Sequence, residues 1–495
     1  MEASEGESLN QATRVHTDSL GVGNGEQEQT GTLRVRVEES WFTVERALLE
    51  RCSDYFCALF HSGMIESRQD ELHLKGGVHA NGFLTALAIC RGEVPVLTDP
   101  DELIEAVESA AFLQVALLAR HLCDIVDSDN CLLLYHAASI FGVRRLFHRA
   151  ALFLCDAYDD LKEAAESTIP EDLLKYCKSL SPASFIALGT HSPSMELLQD
   201  SLRVVCYLDE KAGEWKHLTD LPTVCSTSMA GVTVLDNRLY IVGGLYGYGK
   251  DIVDNSFCYN PETGTWAVLP GPRQPRQNFT LLGHEGKLYV VGGEFQKRII
   301  STAEVYNPET GEWTFIQQAP RPLGSAACAV ARRRIFVCFW KPPDTTDIYE
   351  YIPRKDEWML VTTMIKPQSY GHYMVAHRDV LYVMRNGPCD DFLRCHIDSY
   401  NITTGQWTAM PGHYVNSKGA LFTATIRGDS VFTVKHTLTL VYAIGGNVWK
   451  PHRQMKGFPK NGSLWTCLLR LPKDGPRTRC SDGTTRGSKL YLTDH

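Results

Sequence analysis

The sequence predicts a multidomain protein: an α/β domain, a short α-helical segment and an all-β, six-bladed propeller. Three observations point there. First, a tyrosine precedes a tryptophan six times at nearly one distance, in the pairs Tyr207–Trp215, Tyr259–Trp266, Tyr306–Trp313, Tyr351–Trp358, Tyr400–Trp407 and Tyr442–Trp449. Five pairs are seven positions apart and one is eight, and the tryptophans recur at intervals of 51, 47, 45, 49 and 42 residues. A period of that length marks a repeat whose unit is a small sheet, and such sheets bury both faces only by stacking, commonly in a ring. Second, the front of the chain alternates short strand and helix patterns instead of repeating. Third, the two ends of the repeat region are incomplete in complementary ways.

Residues 1–31 are rich in Gly, Gln, Glu, Ser and Thr and are expected to be disordered. The α/β pattern of residues 32–126 begins with a strand at Leu33 and a second at Trp41. Glu45 to Glu50 reads as helical, and Ser53 to Met64 as a helix that Ser53 caps. A third strand follows at Glu71, then amphipathic helices over Phe83–Cys90 and Glu102–Phe112. Residues 127–190 read as a further helical segment.

Each repeat opens with a hydrophobic hairpin. The first runs from Met229 to Gly243-Gly244 with Asp236-Asn237 at its turn. A second hairpin follows, in which Asn260-Pro261-Glu262-Thr263-Gly264 supplies the turn: Pro fixes φ and Gly accepts a positive φ. Lys287 to Gly293 and Val305 to Ile316 repeat this almost verbatim, and the Tyr and Trp are expected to pack between neighbouring blades. The segment around Val204–Leu218 is a second half-blade with no hairpin before it, and Ser463–Leu471 is a strand-like run with no Tyr–Trp half after it. Each completes the other, which closes the ring and removes its open sheet edges. The propeller is thus placed at 203–472, and the tail 473–495 is expected to be flexible.

Composition narrows the function. The N-terminus has no apolar core of a secretory signal, and the longest apolar stretch, Ala110 to Leu122, is interrupted by Gln114, Arg120 and His121 and is too short to span a bilayer. A cytoplasmic protein without membrane contact is expected. The 16 cysteines contain no Cys-x-x-Cys pair, so no metal or redox motif is implied and no cofactor is expected. Residues 1–200 carry a net charge of −17 and residues 201–495 one of +8. That division reads either as two solvated surfaces or as an acidic docking half joined to a basic recognition half. The chain has no His-Glu-x-x-His, no phosphate-binding loop and no Gly-x-Ser-x-Gly elbow, so an enzyme is not expected. A redox enzyme built on a propeller is the weakest of three readings.

The glycine pairs, the Tyr–Trp spacing and the Asn-Pro-Glu-Thr-Gly-x-Trp turns resemble kelch repeats. Phe42-x-Val44-x-Arg46-x-Leu48-Leu49, Ser53-x-Tyr55-Phe56-x-Ala58-Leu59-Phe60, Gly63-Met64-x-Glu66-Ser67 and Glu108-x-Ala110-x-Phe112-Leu113-Gln114 resemble a BTB domain. Asp129-Asn130-Cys131 through Ala137, Phe141-Gly142 and Leu146 resembles the opening of a BACK module. In that order the parts resemble the BTB–kelch family. The chain departs from the family in lacking the helix and strand that precede the BTB core and support dimerisation, in carrying Glu45 where His is common, and in its short BACK-like segment. Homodimerisation is therefore in question.

The resemblance implies a non-catalytic adaptor of a cullin-3 RING ubiquitin ligase, with the BTB domain on cullin-3 and the propeller on a protein substrate. It maps the family's hydrophobic-x-Glu cullin contact onto Met64-Ile65-Glu66, with Phe60 beside it. It also places the substrate face on two sets of propeller loops. The first set offers Tyr246, Tyr248, Lys250, Lys297, Arg298, Trp340 and Lys341; the second offers Arg273, Arg276, Arg321, Lys366, Tyr370 and His413. Aromatic and Arg side chains on rigid loops make good hot spots, and this basic set suits an acidic substrate segment. The alternative is a cytoskeletal scaffold that binds actin filaments through the propeller without passing on ubiquitin. Arg332-Arg333-Arg334 falls in a hairpin turn on the opposite side and reads as a solvated turn, so no nucleic acid is expected.

Overall fold

A seven-residue spacing is what two residues need to face each other across a four-residue turn. In the computed structural model Tyr259 is the direct cross-strand partner of Trp266, and Tyr306–Trp313, Tyr351–Trp358, Tyr400–Trp407 and Tyr442–Trp449 pair likewise. The structure describes residues 31–189, 204–246, 251–341, 345–365, 372–386, 394–410, 414–415, 423–434, 438–444, 448–454 and 464–473. The turns are built as their sequence requires. The Asn260 side chain accepts from the Glu262 amide at 3.0 Å, and Gly264 turns the chain with φ of 67°. Asn307 with Gly311 and Asn401 with Gly405 repeat the device.

These rings join the blades. Tyr and Trp centroids lie 5.2, 5.1, 5.0 and 5.0 Å apart in blades two to five. Each tryptophan then donates its indole N–H to the preceding blade. Trp266 reaches Thr219 Oγ1 at 3.2 Å, Trp313 the Pro270 carbonyl at 2.9 Å, Trp358 that of Gln317 at 3.0 Å and Trp407 Thr362 Oγ1 at 3.0 Å. The eight-residue pair behaves differently. Across the same four-residue turn an eight-residue spacing is one too many, so Trp215 faces Leu208 and Tyr207 faces Lys216; a bulge between Val205 and Cys206 shifts the register only beyond them.

Six sheets of at least four strands form the propeller. The first strands of successive blades touch in an unbroken circuit. It runs from Gly231–Leu235 to Thr280–His284, Cys328–Ala331, His372–His377, Thr423–Arg427, Leu464–Arg470 and back to Gly231–Leu235. These strands therefore surround the axis. Blade one closes the ring with Leu464–Arg470 followed outward by β4 (Ala183–Gly189), β5 (Val204–Asp209) and β6 (Glu214–Asp220). The expectation of complementary ends holds, with one correction. Among the described residues the C-terminal part contributes one strand to this blade, and the strand beside it, β4, comes from the stretch read as helical.

The double glycines allow the close approaches that the ring demands. Gly292 and Gly293 adopt φ of 67° and 110°, and a Cβ on Gly292 would lie 2.4 Å from the Leu323 carbonyl oxygen. In the front half, β1 (Thr32–Val37) pairs antiparallel with β2 (Ser40–Glu45) and parallel with β3 (Glu71–Leu74). Helices α1 (Arg46–Cys52), α2 (Asp54–His61), α3 (Ala80–Cys90), α4 (Pro100–Phe112) and α5 (Ala116–Asp124) complete this unit. Four more follow: α6 (Cys131–Phe141), α7 (Arg144–Asp156), α8 (Tyr158–Thr168) and α9 (Glu171–Ser179). Among the described residues, α1 to α9 share one continuous apolar core with the three strands.

The helical half seats on one end of the propeller, the end bearing the turns between first and second strands. Arg470 grips Asp156 through both carboxylate oxygens and donates to the Ser181 carbonyl at 3.0 Å. Arg378 pairs with Asp127 at 3.0 Å and with Asp129 at 2.8 Å, and Ser128 donates to Asp429. A side chain on Gly428 would meet the Ala157 Cβ at 3.3 Å. Part of the charge division between the two halves is thus used inside the chain.

Arg332, Arg333 and Arg334 are not a solvated turn. Arg332 pairs with Asp379 of the next blade, Arg333 with Glu285 of the preceding one, and Arg334 with Glu350 at 2.6 Å. His377 to Asp429 at 3.0 Å and Arg427 to Glu210 continue these links toward blades six and one.

Candidate functional site

Two surfaces carry the residues that the sequence singled out. The first follows α2. Ser53 Oγ accepts from the Phe56 amide at 3.2 Å, as a helix cap does. The helix ends at His61, earlier than expected, because Gly63 turns the chain at φ of 72°. Met64 is then extended, and Ile65–Arg68 forms a single 3₁₀ turn, pinned by a 2.6 Å bond from Ser67 Oγ to the Met64 carbonyl and by Arg46 donating to the Ser67 carbonyl.

Apolar side chains stand out of this turn. Met64 is 61% and Ile65 78% exposed, and with Gly63, Arg68 and Gln69 they line a shallow depression. Glu66 is exposed beside them. Phe60 takes a different place: it is half-buried, 5.8 Å from the Phe56 ring, with the Arg46 guanidinium 4.1 Å above it. It forms the floor under the turn. Burial, with the Glu66 charge second, raises the Tyr55 hydroxyl above the usual tyrosine range. Sequence reading took Ile65 as a spacer between Met64 and Glu66. Its exposure follows from the 3₁₀ turn, which the helical expectation hid.

The second surface is the propeller end away from the helical half. Antiparallel strands put loops between second and third strands, and loops between blades, on this end. Tyr246, Arg273, Lys297, Arg298, Trp340 and Lys341 are exposed there. Tyr248, Lys250, Lys366, Tyr370 and His413 lie outside the described residues.

Arg276 is a correction: it is 1% exposed and presents nothing to a partner. Its guanidinium donates to the carbonyls of Gly292 at 2.7 Å and Thr302 at 2.8 Å and pairs with Glu304 at 2.5 Å. Glu304, itself fully buried, also accepts from the amides of Arg273 and Gln274. Burial lowers the Arg276 pKa against the opposing pull of Glu304. Arg321 is similarly occupied, donating to Asp347 at 2.5 Å and to the Phe339 carbonyl at 3.0 Å. Both arginines brace loops from beneath. Their carboxylate partners lie 26 to 28 residues away, so only the fold brings them together.

A three-stranded α/β unit, a helical connector and a six-bladed propeller with Tyr–Trp staples define a class, and family comparisons give it the same name. A BTB/POZ domain model matches residues 24–130 and a KLHDC2/KLHL20/DRC7 Kelch-repeats domain model matches residues 189–387. The chain belongs to the BTB–kelch family. It is 50% identical over 444 residues to human "Kelch repeat and BTB domain-containing protein 13", covering 90% of this chain and 96% of that one. The mouse protein of that name is 50% identical over 440 residues, covering 89% and 95%. Human "Kelch-like protein 42" is 26% identical over 506 residues, covering 89% and 98%.

Proposed function

We propose that this protein is a substrate adaptor of a cullin-3 RING ubiquitin ligase, in which the BTB unit binds cullin-3 and the propeller holds the protein to be modified. The observation that carries this reading is the turn after α2, where Met64 and Ile65 stand exposed on a rigid, hydrogen-bonded scaffold with Glu66 alongside. Exposed apolar side chains held on a fixed turn are the anchors that interfaces use, and an adjacent charge sets register and orientation. The helical half is fixed to the opposite end of the propeller from the exposed Tyr246, Arg273, Lys297, Arg298, Trp340 and Lys341. A bound substrate would face away from the BTB unit, with the ionic junction holding the two at a constant distance. The exposed loop residues favour an acidic segment of the substrate.

The test is direct binding of the purified chain to the N-terminal region of cullin-3. Wild type is expected to bind, and a Met64→Ala, Ile65→Ala, Glu66→Ala variant that keeps its fold is expected to lose at least tenfold in affinity. Absence of binding by folded wild type refutes the adaptor reading.

A further inference from the structure

The propeller end away from the helical half exposes apolar side chains that the sequence reading passed over. Met229, just before the first strand of blade two, and Ile299, in the outer hairpin of blade three, join Tyr246 and Trp340 there, and the four are 38% to 55% exposed. Backbone bonds tie them into one rim. The Leu245 amide, beside Tyr246, donates to the Ser228 carbonyl, beside Met229, at 2.8 Å. The Met229 carbonyl accepts from the Asn278 amide at 2.8 Å, and Gln277 bridges in both directions to Glu294, the cross-strand partner of Ile299. The Ile300 carbonyl accepts from the Leu323 amide at 3.2 Å, and Arg321 of the same loop donates to the Phe339 carbonyl at 3.0 Å, next to Trp340. The order along the rim is therefore Tyr246 and Met229 on blade two, Ile299 on blade three and Trp340 on blade four.

Charge along this rim is graded. Asp251, the cross-strand partner of Tyr246, and Asp254 are exposed on blade two. Further along, three carboxylates are already taken. Glu294 accepts from Asn278 Nδ2 at 2.7 Å, Glu304 holds Arg276, and Asp347 holds Arg321 and accepts from Thr363 Oγ1 at 2.7 Å. Arg273, Lys297 and Arg298 toward blade three, and Lys341 next to Trp340, stay exposed with no carboxylate within ion-pair distance among the described residues.

We propose that this rim binds a segment of a protein partner that interleaves bulky apolar residues with acidic ones, the acidic ones lying over blades three and four. The inference rests on the reading of this end as the partner face and names the class of partner. Aromatic and aliphatic side chains on a rigid rim anchor apolar side chains, and the cations between them set register and repel a basic competitor. A purely acidic segment would leave the apolar rim in water. Met229 and Ile299 favour protein over nucleic acid, because aliphatic side chains give bases no stacking surface and phosphates no donor.

The experiment is selection of random twelve-residue peptides, displayed on phage, against the immobilised full chain, followed by calorimetry of the two most enriched. Enriched peptides are expected to combine acidic with bulky apolar residues and to bind less tightly as salt rises. An Ile299→Ser, Trp340→Ser variant and a Lys297→Gln, Arg298→Gln variant should each weaken them about tenfold or more. The second variant should also flatten the salt dependence. Both change exposed side chains and should melt as wild type does. Phe315→Ser, exposed on the outer strand of blade three and off the rim, should bind as wild type. Cullin-3 binding by the rim variants should be unchanged, so failure of wild type to bind cullin-3 overturns the adaptor reading alone. The rim proposal is overturned by no enrichment, by enriched peptides that are basic or lack bulky apolar residues, or by binding that survives both rim variants. Equal loss in Phe315→Ser, or tighter binding of a twelve-nucleotide uridine RNA than of the best peptide, overturns it as well.

Discussion

Truncating Trp313 to alanine tests the idea that indole rings staple the blades. The side chain is 3% exposed, packed at a tilt against Tyr306 with centroids 5.1 Å apart, and bonded to the Pro270 carbonyl of the preceding blade at 2.9 Å. A buried tryptophan hides roughly 200 Å² of surface, worth at most about 5 kcal/mol at 25 cal/mol per Å². Large aromatic truncations in cores cost about 3–5 kcal/mol, and the hydrogen bond adds about 1 kcal/mol. We expect Trp313→Ala to cost about 4 kcal/mol, a large share of the total stability of a domain. Trp266 makes the corresponding contacts, to the Tyr259 ring and to Thr219 Oγ1, but is only half-buried, so Trp266→Ala should cost about half as much. The assay is urea unfolding followed by the far-ultraviolet signal of the sheets, comparing midpoints at an unchanged slope. A loss below about 1 kcal/mol at Trp313, or equal losses at both positions, refutes the reasoning.

Two further perturbations probe the buried and the ionic parts of the ring. Glu304→Ala strands the Arg276 guanidinium in the interior and should cost about 3–5 kcal/mol, whereas Arg276→Met combined with Glu304→Leu should recover much of it; equilibrium unfolding of the two variants decides. The hydrogen bond from Arg332 holds the Asp379 carboxyl below its ordinary value, against an opposing effect of burial. A carboxyl with a lowered folded pKa stabilises the protein fully above its unfolded value, and the contribution disappears as pH falls through the folded one. Wild type should therefore lose melting temperature more steeply than Arg332→Ala below about pH 4, with the curves parallel above about pH 6.

The propeller was legible because its signal is local. Tyr259 and Trp266 face each other across one turn, so their spacing carries the pairing, and the eight-residue exception at Trp215 faces Leu208 instead of Tyr207. β4 was missed for a physical reason. Ala183–Gly189 is buried along nearly its whole length, so it shows no alternation of polar and apolar residues, and it follows directly on helices. The closing strand Leu464–Arg470 was recognised, but the identity of its neighbour depends on a pairing between residues almost 280 positions apart. The candidate site divides the same way. The cap at Ser53 and the exposed Met64 follow from nearby residues, whereas the 3₁₀ turn that presents Ile65 follows from a bond between Arg46 and Ser67. Arg273 and Arg276 look alike in sequence. One is exposed and the other is buried against Glu304, a distinction set by a neighbouring strand.

The way blade one closes has a consequence for the timing of synthesis. β4 is complete once Gly189 has been made, but its inner partner begins at Leu464, 275 positions later. At roughly 5–20 residues per second the ribosome needs about 14–55 s to cover that distance. Throughout that interval the N-terminal half can fold and five blades can form, while β4 presents an unpaired edge that no other described strand of the chain fills. Chaperone occupancy during translation should be longest at that edge. A message truncated shortly before the codon for Leu464 yields a product that keeps nearly all of its mass and leaves the same edge open to neighbouring chains.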